Sequence, residues 1–289
     1  MNIFTSNKRF HDAPWLQIRD KEIFNGFLNR FGIRPGQDGD MLINRLNQAL
    51  GHIPFENLTK IIKADSVISA SSAMRYPDEL IGDFLKWGTG GTCFSLTAAA
   101  VALLDGLGIE AYPLLADRHY GPDTHCGLVM VRPGGAMLLL DPGYLLFSPV
   151  PVPKETAAFF DTGFNRIELV PVLGGTRVEL YTVVKNSRKL RLTFKIEPVS
   201  DASFAAAWER SFAFEMMTYP VLTRQSNGRH EYLQGNVLAV RDASRTERVV
   251  LTPDKQIEFF SATAGIQMDI VKRALEIVDY GKNSIAARG

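Results

Sequence analysis

Residues 90–108 read GGTCFSLTAAAVALLDGLG. Alanine and leucine fall on nearly every face between Cys93 and Leu107, so the spacing predicts a helix buried on all sides. Gly108 is placed to end it at the C′ position, and Thr92 stands where an N-cap belongs. Cys93 then sits at the helix N-terminus. Unpaired backbone N–H groups and the positive end of the helix dipole favour a thiolate there. Gly90 and Gly91 leave room for another group to approach. Two readings fit this position equally, an activated nucleophile and an inert core thiol.

Working outward, the chain before this stretch reads as helical. Apolar residues at helical spacing mark Asp20–Phe31, Asp40–Leu50 and Asp78–Trp87. After about Ala111 the texture changes to short apolar runs, expected as strands at Tyr112–Leu115, His125–Arg132, Ala136–Asp141, Arg166–Val170, Arg177–Val184 and Lys189–Glu197. The Pro-rich stretch 150–165 suits a loop. A helix is expected over Ser203–Phe214, then strands over Val221–Phe260 with turns at Asn227-Gly228 and Asp242-Ala243, and a last helix over Ile266–Val278. The organisation expected is therefore helical over 1–110, β over 111–202, and a helix followed by a mixed α/β unit over 203–289.

A nucleophilic thiol needs a base, and the base needs an orienting group. Among five histidines, His11, His52, His119 and His230 lie in polar settings and read as surface residues. His125 opens a strong strand, and Pro133-Gly134-Gly135 turns that strand into the next. Pairing Val131 with Ala136 brings His125 opposite Pro142, beside Asp141. An aspartate ending the run Leu138-Leu139-Leu140 would carry a costly buried charge without a partner. His125 supplies one, either as a catalytic dyad or as a structural pair. Cys126, next to His125, points to the opposite face of the strand and reads as core. Cys93, His125, Cys126 and Asp141 lack the paired spacing of a structural zinc site, so no metal is expected. Glu56, an acid in an apolar setting, reads as a structural hydrogen-bonding group, with a catalytic role as the alternative.

Composition narrows the class. The chain has 289 residues, 46% hydrophobic and 22% charged, which suits a folded globular protein. A formal net charge of +1 argues against a broad cationic surface for nucleic acid. The longest apolar runs are far short of the roughly 20 residues that cross a bilayer, so no membrane partner is expected. The opening MNIFTSNKRFHDAPW has no apolar signal core. Two cysteines are too few for a disulfide framework. The expected location is the cytoplasm, with both thiols free.

These residues fall into an ordered set of motifs. Ile53-Pro54-Phe55-Glu56-Asn57-Leu58, Gly90-Gly91-Thr92-Cys93-Phe94, Thr124-His125 with Leu128-Val129, and Asp141-Pro142-Gly143-Tyr144 follow one another along the chain. Together they resemble the arylamine N-acetyltransferases. Phe27–Gly32 and Met217–Asn236 are similar to further stretches of that family, so the resemblance covers most of the chain. It implies an α+β, three-domain fold of helical bundle, β-barrel and α/β lid, with a cysteine-protease-like core. It also implies a Cys93, His125, Asp141 triad and a double-displacement reaction. In that reaction the cysteine takes an acetyl group from acetyl-CoA and passes it to an arylamine, arylhydrazine or N-hydroxyarylamine. Phe55, Phe94 and Phe147, near the motifs, are expected to line an aromatic pocket.

The sequence also departs from the family pattern. Thr89 stands where the family has arginine, Ser95 and Thr97 replace a Glu-x-Asn pair, Pro142 replaces valine, and Cys126 takes the place of a second histidine. These departures bear on the donor and acceptor. They leave open an amide synthase or other acyltransferase that uses a different thioester. A thiol hydrolase shares the same Cys, His, Asp order, and a fold that retains only binding is the non-enzymatic alternative.

Overall fold

The computed structural model describes residues 13–36, 38–162, 164–184, 187–226, 228–242 and 245–286. His11, Asn227 and Ala243 lie outside the described residues.

The N-terminal region is helical. α1 (Lys21–Arg30) and α2 (Gly39–Leu50) are each capped by an aspartate, Asp20 and Asp38, whose carboxylate accepts two first-turn N–H bonds. A two-residue strand, β1 (Phe55–Glu56), precedes α3 (Leu58–Ser66), the short α4 (Ala70–Ala73) and α5 (Pro77–Trp87). α6 (Cys93–Gly106) is buried from Cys93 through Leu104, as its apolar periphery requires. Gly108 follows it at φ +73°. α6 forms the axis of the largest apolar cluster, with Phe27, Leu46 and Leu80 from the other helices.

The central region is one antiparallel sheet of eight strands. β2 (Ala111–Arg118), β3 (Gly121–Val131), β4 (Met137–Asp141) and β5 (Leu146–Pro151) form one half. β6 (Ala158–Asp161), β7 (Arg166–Val172), β8 (Arg177–Val184) and β9 (Ser187–Lys195) form the other. The spatial order is β5-β4-β3-β2-β9-β8-β7-β6. The sheet curls into a barrel around its own core of Leu114, Val129, Leu139, Leu169, Leu180 and Phe194. Strand alternation decides which face meets the helices. On β3, Val129 points into the barrel while Cys126, Leu128 and Met130 pack against the cluster around α6.

Two expectations change here. The β3–β4 hairpin pairs Val131 with Met137, one residue later than expected. Gly134 and Gly135 both adopt positive φ, and the loop closes between Arg132 and Ala136. The stretch 150–165 is also more than a loop, because β5 ends and β6 forms within it.

The C-terminal region begins with α7 (Asp201–Arg210), whose Phe204 and Trp208 join the helical cluster. β10 (Val221–Ser226), β11 (Arg229–Gln234), β12 (Val237–Arg241) and β13 (Thr246–Val250) follow as a meander. The expected strands over Val221–Phe260 stop at Val250, because α8 (Pro253–Glu258) begins at a proline capped by Thr252. α9 (Met268–Ala286) ends the described chain. β1 adds to this sheet as a fifth strand, with Phe55 opposite Thr223. Leu58 of α3 packs with Leu222, Phe260 and Val271. The segment from Phe55 to Leu58 therefore links the first region to the last. The whole is an α+β fold. Among the described residues, no helix is long and apolar enough to cross a membrane.

Candidate active site

Three elements converge on Cys93. The first is the loop before α6. Glu56 is fully buried, and its carboxylate accepts bonds from the Gly90 N–H (3.1 Å), the Thr59 N–H (3.0 Å) and the Thr59 hydroxyl (2.6 Å). Arg75, 4% exposed on its side chain, lies 3.9 Å from Glu56 and also donates to the Gly90 carbonyl and Asp83. A guanidinium thus stands beside the two glycines although position 89 is a threonine. Arg75 escaped the sequence reading because only the fold brings it to residues 56 and 90. Glu56 is a structural group, as its setting suggested. The same motif supplies Asn57, whose side chain donates to the Tyr219 carbonyl (2.8 Å) and accepts from the Val221 N–H (2.7 Å).

The Gly90 backbone approaches β1 so closely that a Cβ there would lie 1.7 Å from the Pro54 carbonyl oxygen. No rotamer can relieve a clash with backbone. Gly90→Ala is expected to cost about 3 kcal/mol or more of folding stability, measured by urea unfolding. A loss below about 1 kcal/mol would contradict this account of the loop.

The second element is the β3–β4 hairpin. Continuing its register puts Asp141 opposite Gly127, diagonal to His125, so both side chains leave the same face. His125 Nε2 lies 2.6 Å from Asp141 Oδ2, and both residues are fully buried. Asp141 Oδ1 accepts the Tyr144 N–H at 2.9 Å, which fixes the turn Pro142–Tyr144. The third element is that turn. A Cβ on Gly143 would lie 2.7 Å from Cys93 Cβ and 3.0 Å from His125 Cε1, so only glycine allows the cysteine and the imidazole to share this space.

The tautomer follows from the partners. Arg118 Nη2 lies 2.9 Å from His125 Nδ1, and a guanidinium can only donate. In neutral His125, Nδ1 is therefore the acceptor and Nε2–H donates to Asp141. Burial opposes protonation of His125 most strongly, but the charge and hydrogen bond of Asp141, with the hydrogen bond to Cys93, together make the net shift upward.

Cys93 lies within hydrogen-bonding reach of His125 and of Cys126, and its thiol is held well below the usual range. The largest cause is the hydrogen bond from Cys126; burial works against it, and His125 and Arg118 add to it. The Cys126 thiol moves the opposite way, well upward, chiefly through burial. Its sulfur lies 3.4 Å from Thr97 Oγ1, and with its single S–H given to Cys93 it accepts from the Thr97 hydroxyl. Thr97 is one helical turn beyond Cys93, on the same face. Cys126 does point away from the His125 side of β3, but that direction carries its thiol to Cys93. Cys126→Ala is expected to move the pH profile of Cys93 alkylation upward, towards an ordinary cysteine, whereas Cys126→Ser keeps a donor and moves it less. An Ala variant with the native profile would contradict this arrangement.

These groups open on a cavity of ≈ 560 Å³ between barrel, helices and C-terminal sheet. Phe55 lines it. Phe94 does not: its ring is fully buried against Phe204 and Trp208. Phe147 packs on the helical cluster, near Gly51. The aromatic wall is instead Tyr120, Tyr144, Phe164, Phe214, Tyr219 and Tyr232. His119 and His230, expected at the surface, also line the cavity. Burial and then Arg241 push His230 down to about 4, so it is neutral at neutral pH. Lys60 is a cation the sequence reading missed. Burial lowers it to about 8, against the pull of Cys93 and Cys126. Its ammonium donates to the Ser211 carbonyl (2.9 Å) and hydroxyl (2.7 Å). Among the described residues, no group of three or more His, Cys, Asp or Glu could hold a metal ion.

A cysteine at a helix N-terminus beside an imidazole paired with a carboxylate is an arrangement with which thiol-based acyl transfer or hydrolysis can be performed. No family model matches the sequence, and no curated protein matches it. Solved structures do. The arylamine N-acetyltransferase of Nocardia farcinica is 20% identical, covering 91% of this chain and 98% of that one, with a TM-score of 0.75. That of Mycobacterium marinum in complex with CoA is 18% identical, covering 89% and 98%, with a TM-score of 0.74. The Bacillus cereus arylamine N-acetyltransferase with a Cys-His-Glu catalytic triad is 16% identical, covering 86% and 100%, with a TM-score of 0.67. The chain has the fold of the arylamine N-acetyltransferases.

Proposed function

We propose that this protein is an acyltransferase of the arylamine N-acetyltransferase family, carrying an acyl group on Cys93 Sγ between a CoA thioester and an amine. The observation that carries the reading is the convergence of Cys93, His125 and Asp141 at the N-terminus of α6. The likeness to a CoA-bound acetyltransferase supports the donor class. Acetyl-CoA is the proposed donor, and an arylamine, arylhydrazine or N-hydroxyarylamine the acceptor.

His125 Nδ1 takes the Cys93 thiol proton, and the Asp141 carboxylate holds the imidazolium that results. The thiolate adds to the thioester carbonyl. First-turn N–H groups of α6 have no intrahelical acceptor and suit the developing oxyanion. Collapse breaks the bond to the CoA sulfur, which leaves with the proton from His125. An amine then adds to the enzyme thioester while Nδ1 accepts its proton. The amide departs and Cys93 is regenerated. Splitting the transfer in this way replaces one difficult step by two easier ones.

Initial rates with acetyl-CoA and 4-anisidine test this reading. Parallel lines in double-reciprocal plots, with CoA released before the amine binds, are expected. Converging lines would count against a free acyl-enzyme. CoA release at the same rate without amine would favour the hydrolase alternative.

A further inference from the structure

The cavity beside the triad is cationic in an uncompensated way. Lys60, Arg118, Arg191 and Arg241 line it, and among the described residues no aspartate or glutamate does. Neutral oxygens hold three of these cations: Ser211 binds Lys60 at 2.7 Å, Thr182 binds Arg191 at 2.8 Å and Asn165 binds Arg241 at 3.1 Å. Arg118 is the least satisfied. Its Nη2 meets the Nδ1 lone pair of His125 and its guanidinium also meets the Tyr120 hydroxyl, but its buried Nε has no hydrogen-bond partner. A guanidinium with an unpartnered Nε–H beside an Nη2 held only by an imidazole lone pair suits a carboxylate, which can accept from both.

The position of Arg118 narrows what it binds. It touches the imidazole that must act on the reacting sulfur. The phosphates of CoA are separated from the thioester by the long pantetheine arm, so they cannot reach this spot while the thioester lies at Cys93. We infer that Arg118 is a carboxylate-binding residue, and that the acyl group or the acceptor amine of this enzyme carries a carboxylate close to its reacting atom. This rests on the acyl-transfer reading above and specifies its substrate class.

The arrangement also couples binding to chemistry. Arg118 and the thiol proton compete for the same lone pair on Nδ1. A substrate carboxylate that draws Arg118 away leaves Nδ1 free to take the proton from Cys93. An acyl group without a carboxylate leaves Arg118 in place, so the carboxylate acts on the acylation step as well as on binding.

The direct test needs no turnover. Iodoacetate and iodoacetamide both alkylate Cys93 by forming a sulfur–carbon bond with loss of iodide, but only iodoacetate carries a carboxylate beside the reacting carbon. The iodoacetate-to-iodoacetamide rate ratio on Cys93 is expected to fall about 10- to 100-fold in Arg118→Gln. Arg118→Lys, which keeps the charge without the fork, should lose part of that preference. Arg191→Gln should lose less than Arg118→Gln. A ratio unchanged in Arg118→Gln would overturn the inference. An equal fall in Arg191→Gln would overturn it too, since a diffuse field would then explain the preference.

Two further comparisons identify the source of the carboxylate. Faster acylation by succinyl-CoA than by acetyl-CoA places it on the acyl group. Faster deacylation by 2-aminobenzoate than by 2-aminobenzamide places it on the acceptor. No difference in either pair would overturn the substrate claim. If no thioester acylates Cys93 at all, the acyltransferase reading fails, while the alkylation ratio still decides the role of Arg118.

Discussion

Cys93→Ser will form no acyl-enzyme and will lose acyl transfer by a factor on the order of 10⁴ or more. The substitution changes one atom and leaves the packing of a buried helix start in place. What it removes is the acidity on which the site depends. The Cys93 thiol is pulled down by the hydrogen bond from Cys126, by His125 and by Arg118, despite its burial. A serine hydroxyl starts so much higher that the same neighbours cannot ionise it near neutral pH. The measurement is amide formation from acetyl-CoA and an arylamine, with circular dichroism to show that the fold is retained. Activity within about tenfold of native would mean that another residue carries the acyl group.

Asp141→Asn is expected to have the second largest effect, a loss on the order of 10³- to 10⁴-fold. Its shape is nearly conserved, so the loss comes from charge and tautomer. Asp141 raises the His125 pKa against burial and against Arg118. The imidazolium therefore persists to higher pH, while the thiolate already exists at lower pH. Between these limits Cys93 and His125 form an ion pair, and their titrations belong to the pair. Removing the carboxylate lowers the upper limit and narrows the window from its alkaline side. An asparagine amide can also donate to Nε2, which favours the tautomer with the proton on Nδ1 and removes the base. The pH dependence of Cys93 alkylation by iodoacetamide checks the sign. In Asp141→Asn the step that marks loss of the imidazolium should fall at lower pH than in the native protein, while the onset of reactivity moves little. A profile unchanged in position would show that the carboxylate does not govern the pair.

Much of this site could be read from local pattern. α6 declared itself through an apolar periphery that only a buried helix tolerates, and its first residue was the nucleophile candidate. The hairpin brought His125 and Asp141 together even with the register off by one, because diagonal neighbours on two strands remain within reach. Residues whose roles arise from tertiary contacts were not legible. Lys60 sits on a helix and Arg75 on the connection between α4 and α5, where polar residues look like ordinary surface, and only packing across the chain buries them at Ser211 and Gly90. Arg118 was closer to being readable. It ends β2, Ala116 of that strand pairs with His125, and the hairpin returns within a few residues. Pairing β2 with β3 would have found it.

The aromatic pocket failed for a related reason. Phe94 follows the nucleophile in sequence, but on a helix the next residue turns about 100° away. That rotation carries its ring into the core against Trp208. β1 and the meander supply Phe55 and Tyr232, and turns and connections supply the other rings that face the cavity, Tyr120, Tyr144, Phe164, Phe214 and Tyr219. Cys126 shows the opposite case: alternation gave the right direction, and the missing information was that α6 lay on that side.

The most direct test of the central claim is the intact mass of the purified protein after mixing with acetyl-CoA, beside Cys93→Ser. The account predicts one acetyl adduct on the native chain, absent from the variant and cleared when an arylamine is added. A native chain that gains no adduct from acetyl-CoA or succinyl-CoA, while iodoacetamide still alkylates Cys93, would contradict it.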